Sequence, residues 1–246
     1  MNRSALMPRT AVVTGASGGL GAGVVESLRR AGMDVVGVDL RPDDSTTVSL
    51  DVTDSGAVEE FFDNVESRAP IDVLVNCHGV LQDLTDVADT PDAELSRVMT
   101  VNFVGAFHTC RAAASRMRER RWGRIVNVAS QAGRAPWPGT AVYGASKGAV
   151  IALTQGLAAE LGPAGVTVNA VCPGVMLTSM TEGAFLSAGG TREEAARLLQ
   201  AKAESLPVRR LGTAEDVGSM VAYLVSPGAS FVTGTTQNLT GGEQYF

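Results

Sequence analysis

"TAVVTGASGGLG", residues 10–21, decides the fold. Its first half, Thr10 to Gly15, is a β-branched apolar run of the kind that forms a buried strand. Its second half sets Gly15, Gly19 and Gly21 in a Gly-x3-Gly-x-Gly spacing. Glycines at a strand end permit a tight turn and let backbone amides approach a ligand. A helical pattern follows over 19–31, so an anion held at the turn would also meet a helix N-terminus. A glycine turn alone also serves ordinary loops. Its place between a first strand and a first helix is what points to phosphate binding.

The alternation continues outward. Further apolar runs occupy 33–39, 47–52, 71–76, 123–130, 166–174 and 232–242. Helical patterns occupy 54–68, 97–121, 142–161 and 213–225. Strands alternating with helices imply parallel pairing and right-handed crossovers. The expected fold class is α/β, a single doubly wound (Rossmann-type) parallel sheet of about seven strands with helices on both faces. One domain is expected over 1–246. Such sheets bind ligands beyond the carboxyl ends of their strands. Those ends read Thr14-Gly15, Asp39, Asp51, Asn76, Ser130 and Pro173-Gly174.

Of 246 residues, 45% are hydrophobic and 19% charged, enough apolar material for a sizeable core. A net charge of −6 repels phosphate backbones, so no nucleic-acid partner is expected. The stretch "RMRERRWGR" (Arg116, Arg118, Arg120, Arg121, Arg124) reads as the solvated C-terminal end of a helix. No apolar run is long enough for a membrane span and no leader segment is evident, so a cytoplasmic location without membrane contact is expected. Cys77, Cys110 and Cys172 are odd in number and widely spaced, which suggests buried hydrophobes and no metal site.

Asp39 ends the second strand, 24 residues after Gly15. A carboxylate there accepts hydrogen bonds from adenosine ribose hydroxyls and repels a 2′-phosphate. Arg41 lies two residues on and could reach a phosphate, but Asp39 favours NAD over NADP. Ser130 ends the fifth run, and Tyr143 and Lys147 follow on the next helical pattern, four residues apart on one face. A phenol titrates near pH 10, and a nearby ammonium favours its phenolate. Tyr143 could then exchange a proton with an alcohol or ketone while Ser130 holds the same oxygen. A tyrosine and lysine at this spacing also occur as plain helix-surface pairs. The joint pattern of glycine loop, serine and pair is more demanding.

With "TGASGGLG", "LDVT", "NCHG", "VNF", "VNVAS", "YGASK", "CPGVMLT" and "TGTTQNLTGG" in this order, the chain resembles the short-chain dehydrogenase/reductase family across essentially its full length. The resemblance implies a catalytic tetrad of Asn102, Ser130, Tyr143 and Lys147, with Asn102 holding a water that links Lys147 to solvent. It implies cofactor contacts from Gly15, Ser17, Gly19, Leu20 and Gly21 in the loop. Others would come from Asp39, Asp51 and Val52, Asn76 on the adenosine side, Gly79, and Met176 and Thr178 at the nicotinamide amide. Tyr143 and Lys147 would also touch the cofactor. A homotetramer built from the two long helices and the C-terminal strand is implied as well.

Where the family usually has Asn-Asn-Ala-Gly, this chain has Asn76-Cys77-His78-Gly79. His78 reads either as a titrating group near the nicotinamide or as a loop histidine satisfied by backbone. The second is favoured because the tetrad already supplies acid–base chemistry. His108 reads as a packing or interface residue. The stretch 176–206 reads as a substrate lid, with a capping box of Thr191 and Glu194 starting a short helix. Met176, Leu177, Met180, Phe185 and Leu186 could line a pocket wall or pack the lid. The reading that follows is an NAD-dependent dehydrogenase of a secondary alcohol such as a polyol, sugar alcohol or diol. The alternative is a 3-oxoacyl-(acyl-carrier-protein) reductase using Arg134 and the arginine run on an acidic carrier. A remote third is a non-catalytic dinucleotide sensor.

Overall fold

Nearly continuous β-branched runs need cover on both faces, and the alternating helices supply it. The computed structural model describes residues 8–42, 47–178, 180, 181, 183 and 190–244. Among these, the strands are β1 (Thr10–Thr14), β2 (Asp34–Asp39), β3 (Thr47–Ser49), β4 (Ile71–Asn76), β5 (Gly123–Val128), β6 (Val166–Pro173) and β7 (Thr236–Leu239). They form one seven-stranded sheet, paired in parallel in the order β3-β2-β1-β4-β5-β6-β7. The chain runs outward from β1 to β3, then returns to the other side of β1 with β4. That reversal opens a crevice at the carboxyl ends of β1 and β4.

The helices are α1 (Gly19–Arg30), α2 (Ser55–Glu66), α3 (Asp92–Met99), α4 (Gly105–Arg120), α5 (Ala141–Leu161), α6 (Arg192–Ser205) and α7 (Ala214–Val225). Alternate strand residues feed two cores. Val12, Leu74 and Ile125 pack with Phe62 of α2, Met117 of α4 and Leu161 of α5. Val13, Val75 and Val126 pack with Leu28 of α1 and Leu224 of α7 on the opposite face. Each such side chain contributes roughly 1.5–3 kcal/mol by leaving water. No helix among the described residues is long and apolar enough to cross a membrane.

Several boundaries differ from the sequence pattern for identifiable reasons. β3 stops at Ser49 because Asp51 turns the chain, its Oδ1 accepting from the N–H and the hydroxyl of Thr53. β7 is bracketed by Gly234 and Gly241, with φ of 69° and 62°, which shortens it to four residues. The helical pattern begun at 97 starts instead at Asp92. Only Val98 of α3 is buried, so most of that short helix faces solvent. A π-helical turn, Thr100–Val104, joins α3 to α4 and turns Asn102 into the interior.

The arginine run is less solvated than its composition suggests. Arg116 pairs with Glu59 and Asp63, and Arg120 pairs with Glu66 while donating to the carbonyl of Ile71. Arg9 and Arg124 both stack on Trp122, at 3.9 and 4.6 Å from its ring centre. These guanidiniums tie α4 to α2 and to the sheet floor.

Candidate active site

A groove of about 700 Å³ lies across the crevice, within the usual size of small-molecule sites. Its floor is the glycine loop. Gly15 has a left-handed φ of 66°, and a Cβ there would lie 2.7 Å from the Cα of His78. A Cβ on Gly21 would strike the carbonyl of Gly15. The N-cap of α1, Gly18, makes no side-chain cap bond, and the first turn carries no acidic residue. Its amides and positive dipole end are therefore available to an anion.

The walls use ends of several strands. Asp39 accepts from the N–H of Ser17 and from the N–H of Arg41, each at 3.1 Å, which ties the end of β2 to the loop. Arg41 lines the same wall. Gly15, Ser17, Gly19, Leu20, Gly21, Asp39, Asp51, Val52, Gly79 and Thr178 all line the groove. Thr178 lies over the first turn of α1, where a Cβ on Gly19 would meet its side chain at 3.3 Å.

The catalytic edge is built on β5 and α5. β5 ends at Val128, and Ser130 caps the following 3-10 turn by accepting from the N–H of Ala132 at 3.1 Å. The Ser130 side chain is also near enough to the Tyr143 hydroxyl to favour its ionised form. Lys147 donates to the carbonyl of Val128 at 2.9 Å. Tyr143 and Lys147, one helical turn apart, thus face the end of β5 together. The N–H of Tyr143 donates to Oε1 of buried Gln82 at 2.7 Å. The residue before α5, Thr140, makes no cap bond; its hydroxyl is folded into the Trp137 turn. Gln82, from the loop after β4, supplies the cap instead. It belongs to no motif and was not singled out from sequence.

Asn102 acts as a brace. Its Oδ1 accepts from the N–H of Val80 at 2.8 Å, and its Nδ2 donates to the Val80 carbonyl and to Ser146 at 2.9 and 3.0 Å. These three bonds hold the side-chain amide in one orientation. Gly79 fits between it and the lysine: a Cβ there would lie 3.2 Å from both Asn102 Oδ1 and Lys147 Nζ.

Burial sets the electrostatics. It pushes the Tyr143 hydroxyl above its ordinary range, opposed in part by the Ser130 side chain. The ring is partly exposed, but its hydroxyl end lies among buried neighbours. The expected lowering of the phenol is therefore corrected: desolvation raises it, and the Lys147 ammonium is directed at the Val128 carbonyl. Lys147 itself is brought down to about 8 by burial, so it is still mostly protonated at neutral pH.

Several expected residues lie elsewhere or otherwise. Asn76 is buried beneath the strand end, donating to Asn127 at 2.9 Å and accepting from Thr109 at 2.8 Å, away from the groove. This network joins β4, β5 and α4, and buried amides need such partners. Met176 is buried in the α1/α7 core beside Gly212, and its carbonyl accepts from the Thr181 hydroxyl. Leu177 is exposed and Met180 lines the groove, while Phe185 and Leu186 lie outside the described residues. Cys77 is only partly buried and also lines the groove. His78 bonds to the side chain of Thr14 and is also acted on by the backbone of Val101, and His108 bonds to the Val52 carbonyl. The Thr191–Glu194 capping box is formed and starts α6.

A family model described as enoyl-(acyl carrier protein) reductase matches residues 15–243. The chain belongs to the short-chain dehydrogenase/reductase family. It is an oxidoreductase of CH–OH groups in that family, whose members bind a nicotinamide dinucleotide. It is 32% identical to D-beta-hydroxybutyrate dehydrogenase of Rhizobium meliloti, over 96% of this chain and 98% of that protein. It is also 32% identical to a 3-oxoacyl-(acyl-carrier-protein) reductase of Haemophilus influenzae, over 95% of this chain and 97% of that one. Among solved structures it resembles the aldohexose dehydrogenase of Thermoplasma acidophilum, with a TM-score of 0.90, 28% identity, and 96% and 94% of the two chains covered. ElxO with NADP bound matches with a TM-score of 0.86 at 25% identity, covering 96% and 98%. The side-chain-free cradle at Gly15 and Gly21 and the uncapped start of α1 suit a family cofactor's pyrophosphate.

Proposed function

We propose that the chain is an NAD-dependent dehydrogenase interconverting a secondary alcohol, of the polyol, sugar-alcohol or diol kind, and its ketone. The observation that carries this is the meeting of Ser130 and the Tyr143 hydroxyl at the end of β5, beside a groove walled by Asp39. The Asp39 carboxylate would accept from ribose hydroxyls and repel a 2′-phosphate. When bound, the nicotinamide accepts or gives the hydride, and its oxidised ring brings a positive charge. Tyr143, ionised beforehand by losing its own proton to solvent, takes the alcohol proton as a phenolate, and Ser130 holds the substrate oxygen beside it. Lys147, held in place by Val128, supplies a fixed cation behind the phenol. Asn102 and Gln82 hold the surrounding backbone. The stretch 176–206 serves as a lid over the substrate, and a homotetramer through α4, α5 and β7 is the assembly we propose. The aldohexose dehydrogenase likeness supports a sugar-type alcohol.

A reductase of 3-oxoacyl thioesters is the second reading, favoured by Arg41 on the groove wall and by the Haemophilus relative's name. A screen of polyols, diols, cyclic alcohols and acyl thioesters with both dinucleotides separates the two. Oxidation of an alcohol with NAD supports the first reading. Reduction of acyl thioesters with NADPH and of nothing else supports the second.

A further inference from the structure

His78 interrupts "NCHG" with an imidazole that no step above uses. It stands in the crevice between β1 and β4. Its Nδ1 lies 2.6 Å from Oγ1 of Thr14, the residue that closes β1 and precedes Gly15. The main chain makes a parallel tie, with the Cys77 N–H donating to the Thr14 carbonyl at 3.1 Å. Gly15 packs directly on the His78 backbone. Space for the ring exists because Gly105, at the start of α4, lacks a side chain; a Cβ there would lie 3.1 Å from Nε2.

The Thr14–His78 bond forms in either tautomer: Thr14 donates to Nδ1, or Nδ1–H donates to Thr14 while that hydroxyl donates to Asn76 Oδ1 at 3.3 Å. Nε2 is buried, and the backbone of Val101 acts on the ring. Lys147 is the cation acting on the ring, and burial together with that charge keeps the imidazole neutral. An uncharged ring fastened at Nδ1 is suited to holding position.

We propose that His78 is a positioning residue: through Thr14 it fixes the end of β1 and so holds the Gly15 turn in the shape that accepts the dinucleotide. This rests on the cofactor reading above and adds a residue to it. The test is calorimetric titration of NAD, NADH, NADP and NADPH into the full chain, with thermal unfolding recorded for every variant. His78→Ala and Thr14→Val should each weaken binding about tenfold, the size of one hydrogen bond in a part-buried site, with the double variant no weaker than either single one. His78→Asn, whose amide reaches the Nδ1 position, should return binding to within about twofold of the wild type. Unchanged binding by His78→Ala overturns the proposal. So does additive loss in the double variant, or an Asn variant no better than Ala. If His78→Ala does not fold, the isosteric Thr14→Val decides, and unchanged binding there refutes the strut. A wild type that binds none of the four dinucleotides refutes the cofactor reading itself.

Discussion

The groove and the candidate catalytic edge adjoin at Gly79 and are built by different means. The groove is mostly backbone: Gly15 and Gly21 are there because a Cβ would collide, and α1 presents an uncapped N-terminus. The candidate catalytic edge depends on side chains placed by distant partners: Gln82 caps α5 at the Tyr143 N–H, the Val128 carbonyl holds Lys147, and Val80 and Ser146 hold Asn102. Where a ligand must touch backbone, sterics dictate the residue type. Where a polar group must be aimed, many residue types can do the aiming, and burial decides how the group titrates.

The sharpest way to break this division is Tyr143→Phe. Removing the proton carrier should lower turnover at least about a thousandfold, as for loss of a general acid–base group, while dinucleotide affinity measured by calorimetry stays within about twofold. Loss of binding along with turnover would erase the distinction between groove and edge. Asp39→Ser acts on the groove alone. It should weaken NAD binding roughly tenfold or more, as for loss of a charged hydrogen bond, and raise the relative use of NADP with little change in the kcat of saturated enzyme. Gln82→Ala tests whether a distant cap sets the catalytic edge. It should lower kcat about fivefold to tenfold without moving dinucleotide affinity, and Gln82→Glu, which keeps an accepting oxygen, should restore it.

A smaller effect concerns stability against pH. Lys147 falls from an ordinary 10.5 to about 8 because burial disfavours its charge. The folded state therefore bears the cost of that charge below pH 8, and the unfolded chain holds the extra proton between pH 8 and 10.5. Wild-type stability relative to Lys147→Met should rise across that window in denaturant titrations. A flat difference would mean that the lysine is better hydrated than its surroundings indicate.

Much of this was legible in the sequence, and the division above explains what was not. The glycine loop, Asp39 and the Ser130–Tyr143–Lys147 spacing stand out because each residue type is constrained by its chemistry. Gln82 was invisible, since it meets Tyr143 only after β4, β5 and α5 have packed. Asn76 and Met176 sit in the right segments, but their side chains turn into a polar network and a core that no local pattern announces. The start of α3 is hard to read because the helix is eight residues long with one of them buried. The direction of the Tyr143 shift was misjudged for a related reason: the lysine's neighbourhood is visible in sequence, whereas desolvation is a property of the packed site.

Filling the groove with an oxidised nicotinamide dinucleotide is expected to weaken the phenol's hold on its proton and so make Tyr143 reactive. Titration of Tyr143 by ultraviolet absorbance, taken as the difference between wild type and Tyr143→Phe with and without NAD, tests it directly. The account predicts a phenol above its ordinary range in the free protein and a downward shift of at least about two pH units, toward neutrality, once NAD is bound. A phenol already titrating near neutrality in the free protein, or one that NAD leaves unmoved, would contradict it.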